Sequence, residues 1–83
     1  MDYIKILQDM ASVLVEDKES LKVVERSSLQ ENEMLLYVYA SKEDISRLIG
    51  KKGNMASTIR QIMSVPSRLD NKKVVIKFES YEE

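Results

Sequence analysis

The chain has 83 residues, 43% apolar and 33% charged, with a formal net charge of −1, which allows one small domain and argues against intrinsic disorder. It contains no cysteine and no histidine, so thiol nucleophiles, imidazole bases, a disulfide framework and a zinc site drop out; no metal or cofactor is implied, and no paired carboxylates or lysines suggest an enzyme. No apolar run approaches the roughly 20 residues of a membrane span, and Asp2, Glu16 and Asp17 do not fit a signal peptide, so membrane insertion is not expected and the cytoplasm is the expected compartment.

The charge is unevenly distributed. Residues 1–41 carry four basic and eight acidic side chains, residues 42–77 nine basic and three acidic, and residues 78–83 three acidic. A basic block between acidic flanks is the footprint of an anion-binding face, although a solvated mixed-charge surface gives the same count.

In chain order, Tyr3, Leu7, Met10, Ala11 and Leu14 recur at helical spacing, and Ile4, Ile6, Val13 and Val15 widen the stripe, predicting a helix over 2–16. Residues 21–26 alternate as a short strand. The apolar run 34–40, MLLYVYA, is short for a buried helix and suits a strand covered on both faces. Ser41 followed by Asp44 has the form of a capping box, opening a helix over 42–49 that Gly50 stops. A second helix over 54–64 has Met55, Ile59, Ile62 and Met63 inward, and Pro66 is expected to end it. Residues 73–79 alternate as a last strand, and 80–83 form a tail. The order α-β-β-α-α-β describes a single α+β domain, a three-stranded sheet with three helices packed on one face.

Both glycines of the chain lie in Gly50-Lys51-Lys52-Gly53, between two short helices. A tight link of this kind needs a residue at positive φ, which glycine adopts freely. Asn54 begins the next helix, whose free N–H groups and positive dipole end favour a phosphate, while Lys51 and Lys52 add attraction at the tip. GxxG alone also reads as a plain turn with two solvated lysines. What raises it here is the flanking helices, the two basic central residues and the element order.

Ser41 to Met63, SKEDISRLIGKKGNMASTIRQIM, resembles the core of a KH domain, a module whose GXXG loop clamps the backbone of about four nucleotides. The helix and strand pair preceding that core resemble the bacterial type II arrangement. With the ending MSVPSRLDNKKVVIKFE, nearly the whole chain is similar to the small bacterial KhpA-like (YlqC-like) RNA-binding proteins.

The resemblance implies single-stranded RNA binding in a groove between the two core helices, the loop and an adjacent strand. It also implies an RNA chaperone or post-transcriptional regulator linked to cell elongation and division. The implied partners are a second copy, as a homodimer, and a larger KH-containing protein of the KhpB (Jag, EloR) type. Carried over by position, Gly50 and Gly53 admit the RNA backbone, Lys51 and Lys52 face phosphate, and Asn54 opens the second helix. Ile49 and Ala56 form an apolar floor, with Met55 the alternative to Ala56. Arg47 and Arg60 line the rim, or are ordinary solvated helix residues, and Lys77 faces the groove if the last strand forms its far wall.

Ile62 or Met63 is expected to be partly exposed as a dimer contact, against the alternative that both are core. Tyr37 and Tyr39 share a strand face and read as packing rather than as a stacking platform of the RRM or OB type. Rival readings are a KH-fold protein-interaction module and a single-stranded DNA binder.

Overall fold

In the computed structural model, which describes residues 2–81, the apolar run becomes the middle of the sheet. Strands β1 (Lys22–Arg26) and β2 (Glu33–Ala40) form an antiparallel hairpin, and β3 (Lys73–Ser80) lies parallel to β2 on its other side. A parallel neighbour needs a crossover, supplied by helix α2 (Lys42–Ile49), one 3₁₀ turn (Lys51–Gly53) and helix α3 (Asn54–Leu69), while helix α1 (Tyr3–Leu14) precedes the hairpin. The fold is α+β in the order α-β-β-α-α-β, with the helices against one sheet face.

Strand alternation decides which face that is. Leu36, Val38 and Ala40 are fully buried beneath the helices, whereas Leu35, Tyr37 and Tyr39 are half-buried on the far side. Val23 and Ile76 extend the inner face, and Leu7, Ala11, Leu48, Ile59 and Met63 descend onto it from the helices. Each large aliphatic side chain so buried contributes roughly 1.5–3 kcal/mol. Helix α1 starts at its cap, where Asp2 accepts from the Lys5 N–H at 3.0 Å.

Asp44 does more than cap a helix. Its backbone N–H donates to the Ser41 hydroxyl at 3.3 Å, as the capping pattern requires. Its carboxylate, 1% exposed, turns instead to the segment after α1. It accepts the Glu16 and Asp17 N–H groups, each at 3.0 Å, and the Arg47 guanidinium at 2.6 Å. The Glu16 N–H, with help from the Asp17 N–H, Arg47 and Ser41, pulls this carboxyl down to about 2.

Helix α3 runs five residues past the expected end at position 64, with Pro66 inside it. Proline removes the bond to the Ile62 carbonyl, but tertiary contacts hold the last turn. The buried Ser67 hydroxyl donates to Ser64 O at 2.8 Å, and the Asp70 N–H donates to Pro66 O at 3.1 Å. The Tyr3 hydroxyl reaches across from α1 to Pro66 O at 3.3 Å and donates to the Asp70 carboxylate. That second bond pushes the phenol up to about 12. The other differences are at ends: α1 runs from Tyr3 to Leu14, β1 begins at Lys22, β2 begins at Glu33, and Ser80 belongs to β3. Of the expected tail, Glu82 and Glu83 lie outside the described residues.

Candidate nucleic-acid interface

The GKKG segment is a strained corner with an exposed lysine tip between two half-buried glycines. Gly50 ends α2, donating to Ser46 O at 2.9 Å, with φ 76° and ψ 177°. Lys52 (φ 56°) and Gly53 (φ 78°) are also left-handed. Lys52 holds this backbone without glycine's freedom, which costs roughly 1–2 kcal/mol. A Cβ on Gly50 would sit 2.7 Å from the Met55 Cβ and 2.9 Å from the Met55 nitrogen, whereas one on Gly53 would meet nothing within 4 Å. The first glycine is therefore packed against α3, and the second faces open space.

Lys51 and Lys52 are exposed, and neither side chain is ion-paired among the described residues. Behind them α3 starts at Gly53 with no side-chain cap and no acidic residue in its first turn. Inside the turn the Gly53 N–H donates to Gly50 O at 3.2 Å and the Asn54 N–H to Lys51 O. Beyond them the positive end of the α3 dipole lies beside the tip and favours an anion.

The expected flanking residues fall into different places. Asn54 is exposed at the start of α3, and Ile49, 38% exposed, shows an apolar edge beside the loop. Ala56 is buried, so it supports the surface from below and does not form an open floor; Met55 is half-buried against Gly50. Arg60 bridges to β3, its guanidinium donating to Ile76 O at 3.2 Å and lying 5.4 Å from the centre of the Phe78 ring. It stands at the sheet edge that β3 leaves unpaired.

Arg47, with a side chain 42% exposed, is ion-paired with Asp44 at 2.6 Å and Glu16 at 3.2 Å. Lys77 pairs in register with Tyr37 while its neighbours Ile76 and Phe78 face the helices, so it lies on the far face of the sheet. Arg60's partners and Glu16 lie far from their arginines along the chain and carry no sequence signal, whereas Asp44 is the i,i+3 neighbour of Arg47 on the same helix.

The dimer expectation divides in the same way. Met63 is 1% exposed and belongs to the core, which removes it as a contact, whereas Ile62 is 50% exposed. Val65 and Leu69, at 59% and 80%, continue from Ile62 along one side of α3. Pro66 had hidden that continuation, since the helix was expected to stop before it.

A βααβ core with a GxxG corner between its helices, preceded by a helix and a strand, defines a KH domain of the type II order. The family profile described as "KhpA/KhpB, KH domain" matches residues 4–78, and the chain belongs to that family. It is similar to the RNA-binding protein KhpA of Clostridium perfringens, 33% identical over 73 residues that span 88% of this chain and 95% of the relative. The RNA-binding protein KhpA of Clostridium acetobutylicum is 29% identical over the same shares. These relatives are bacterial RNA-binding proteins, and the family is not one of enzymes. No significant match is found among solved structures. Among the described residues, no helix is long and apolar enough to cross a membrane.

Proposed function

We propose that this protein binds single-stranded RNA through Gly50-Lys51-Lys52-Gly53 and the groove bounded by α2, α3 and the free edge of β3. In this reading it acts in the cytoplasm as an RNA chaperone or post-transcriptional regulator linked to cell elongation and division. One observation carries the reading: two unpaired lysines and an uncapped helix start converge beside Gly53, where a second backbone has room to approach. Phosphate is held by the lysines and the positive dipole end of α3. Ile49 offers apolar contact to a base, and Arg60 stands at the far wall.

With a footprint of about four nucleotides, affinity is modest and falls with salt. The reading is tested by anisotropy of a labelled pool of short single-stranded RNA. The Lys51→Asp/Lys52→Asp double variant is expected to lose at least about tenfold in affinity while melting like the wild type, because both sites are at an exposed tip. Equal binding by both proteins would reduce the loop to a turn. If neither binds, the protein-interaction reading takes first place, and a matched DNA pool separates RNA from DNA binding.

The exposed line Ile62, Val65 and Leu69 on α3 supports a homodimer, since exposed apolar patches of this kind mark interfaces. Ile62→Asp is expected to keep the fold and convert a dimeric mass into a monomeric one by light scattering; the same mass for both proteins would exclude this contact. The family's joint KhpA/KhpB description supports a second partner, a larger KhpB (Jag, EloR) type protein. Two grooves in one dimer would raise affinity for an RNA long enough to reach both.

A further inference from the structure

The three helices cover one face of the sheet, and among the described residues no helix covers the other. The register assembles that open face row by row. Tyr39 lies between Lys22 and Glu79, Tyr37 between Val24 and Lys77, and Leu35 between Arg26 and Val75. Tyr81, just beyond β3, joins the first row.

The tyrosines form a continuous aromatic line. Tyr37 and Tyr39 have ring centres 6.1 Å apart and planes inclined by 21°; for Tyr39 and Tyr81 the values are 5.8 Å and 26°. Tyr81 is 55% exposed and the other two are half-buried. The Arg26 guanidinium sits 5.7 and 5.8 Å from the ring centres of Tyr37 and Tyr39, and donates to the Tyr39 hydroxyl at 2.8 Å. Lys22, Val24, Arg26, Tyr39, Ser80 and Tyr81 enclose a depression of about 440 Å³ beside this line.

We infer that this open face is a second contact surface for single-stranded RNA, with bases stacking on the Tyr37–Tyr39–Tyr81 line and phosphates held by Lys22, Arg26 and Lys77. The inference takes RNA as the ligand from the function proposed above, but it does not depend on the GKKG groove. Aromatic rings accept any base, and a cationic fringe holds the backbone, the combination on which sequence-tolerant single-strand binding rests. Arg26 is already seated against the rings, so its planar group is ordered before a ligand arrives. Charge selects the occupant. The face carries four cationic side chains, Lys22, Arg26, Lys73 and Lys77, against two acidic ones, Glu33 and Glu79. Pairing it with a second copy of itself would bring the same cations together around a shared axis, whereas a polyanion with flat apolar groups satisfies both features at once. The face points away from the helices, so an RNA held on both surfaces must pass around a sheet edge. Only strands longer than the groove's footprint would engage both.

The experiment measures two labelled RNAs, a tetranucleotide and a uridine-rich strand of about 16 nucleotides, against three proteins. These are the wild type, Tyr39→Thr/Tyr81→Thr and Lys51→Asp/Lys52→Asp. Threonine keeps the strand propensity at position 39 in β2. The tyrosine variant is expected to bind the long RNA about tenfold more weakly and the tetranucleotide as the wild type does. The loop variant is expected to weaken both. Weaker long-strand binding by the tyrosine variant alone, with the loop variant unaffected, would leave this surface standing and remove the groove.

Unchanged long-strand binding by a folded tyrosine variant would overturn the inference. So would a fall from dimer to monomer with affinity per chain unchanged, which would make the face a contact between copies. Should the tyrosine variant not fold, Lys22→Gln/Lys77→Gln changes only exposed side chains. It is expected to lower the salt slope for the long strand by about two; an unaltered slope would overturn the inference equally.

Discussion

Replacing Asp44 with asparagine is expected to lower the melting temperature by on the order of 10 °C at neutral pH, a large loss for one isosteric change. The carboxylate is the common acceptor for two backbone N–H groups after α1 and for Arg47. An amide has one acceptor oxygen, so its NH₂ would face a donor that needs a partner, and the charge that holds Arg47 would be gone. The pH dependence identifies the cause. The native carboxyl lies at about 2, below its ordinary 3.8, so the folded state binds the proton less readily than the unfolded one. A depressed acid of this kind stabilises the fold above its unfolded value and loses that contribution as pH falls toward the folded value. Thermal melts of wild type and Asp44→Asn should therefore differ by a constant amount near neutrality and converge between about pH 4 and pH 2. A gap that persists unchanged at pH 2 would mean that asparagine acts through packing and not through lost charge. Arg47→Met should cost less, because the two N–H bonds survive it.

Asp44 also shows where sequence reading reached its limit. The element order, most of the inward stripes and the GKKG corner were legible because each rests on local rules: periodicity, capping and glycine at a helix end. Val13 and Ile62, counted in those stripes, are exposed. The capping pattern placed Ser41 and Asp44 correctly at the start of α2, yet the pattern is satisfied by a solvated carboxylate and does not reveal a buried one. Pro66 misled for a related reason. Its local preference is to end a helix, and Tyr3, more than sixty residues earlier, reaches the turn that keeps it going. Strand alternation separated Lys77 from Ile76 but did not say which side the helices would occupy. Only the register with β2 put Lys77 beside Tyr37 on the open face. The same register turned two tyrosines read as packing into a line with a third, Tyr81, that no local pattern connects to them.

The two glycines of the loop should fail in opposite ways. Alanine at position 50 would hold φ near 76° with ψ near 177°, a region that costs a side-chain-bearing residue roughly 1–3 kcal/mol. Its Cβ would also overlap the Met55 nitrogen at 2.9 Å, a backbone atom in the first turn of α3 that no rotamer change can move. Gly50→Ala is thus expected to cost about 3 kcal/mol or more, against roughly 4–12 kcal/mol of total stability for a domain this size, lowering the melting temperature by roughly 15 °C. Alanine at position 53 meets no atom within 4 Å, leaving only the left-handed backbone to accommodate, roughly 1–2 kcal/mol. Its new methyl group would occupy the space into which the proposed function brings an RNA backbone. Gly53→Ala should therefore melt only modestly lower yet bind short RNA about tenfold more weakly, and Gly53→Asn should recover stability, because asparagine tolerates this conformation, without recovering binding. Melting and anisotropy on the same three variants separate the two roles. If Gly53→Asn bound RNA as the wild type does, the open space beside that residue would not be where the strand passes, and the contact would have to lie with the lysines alone.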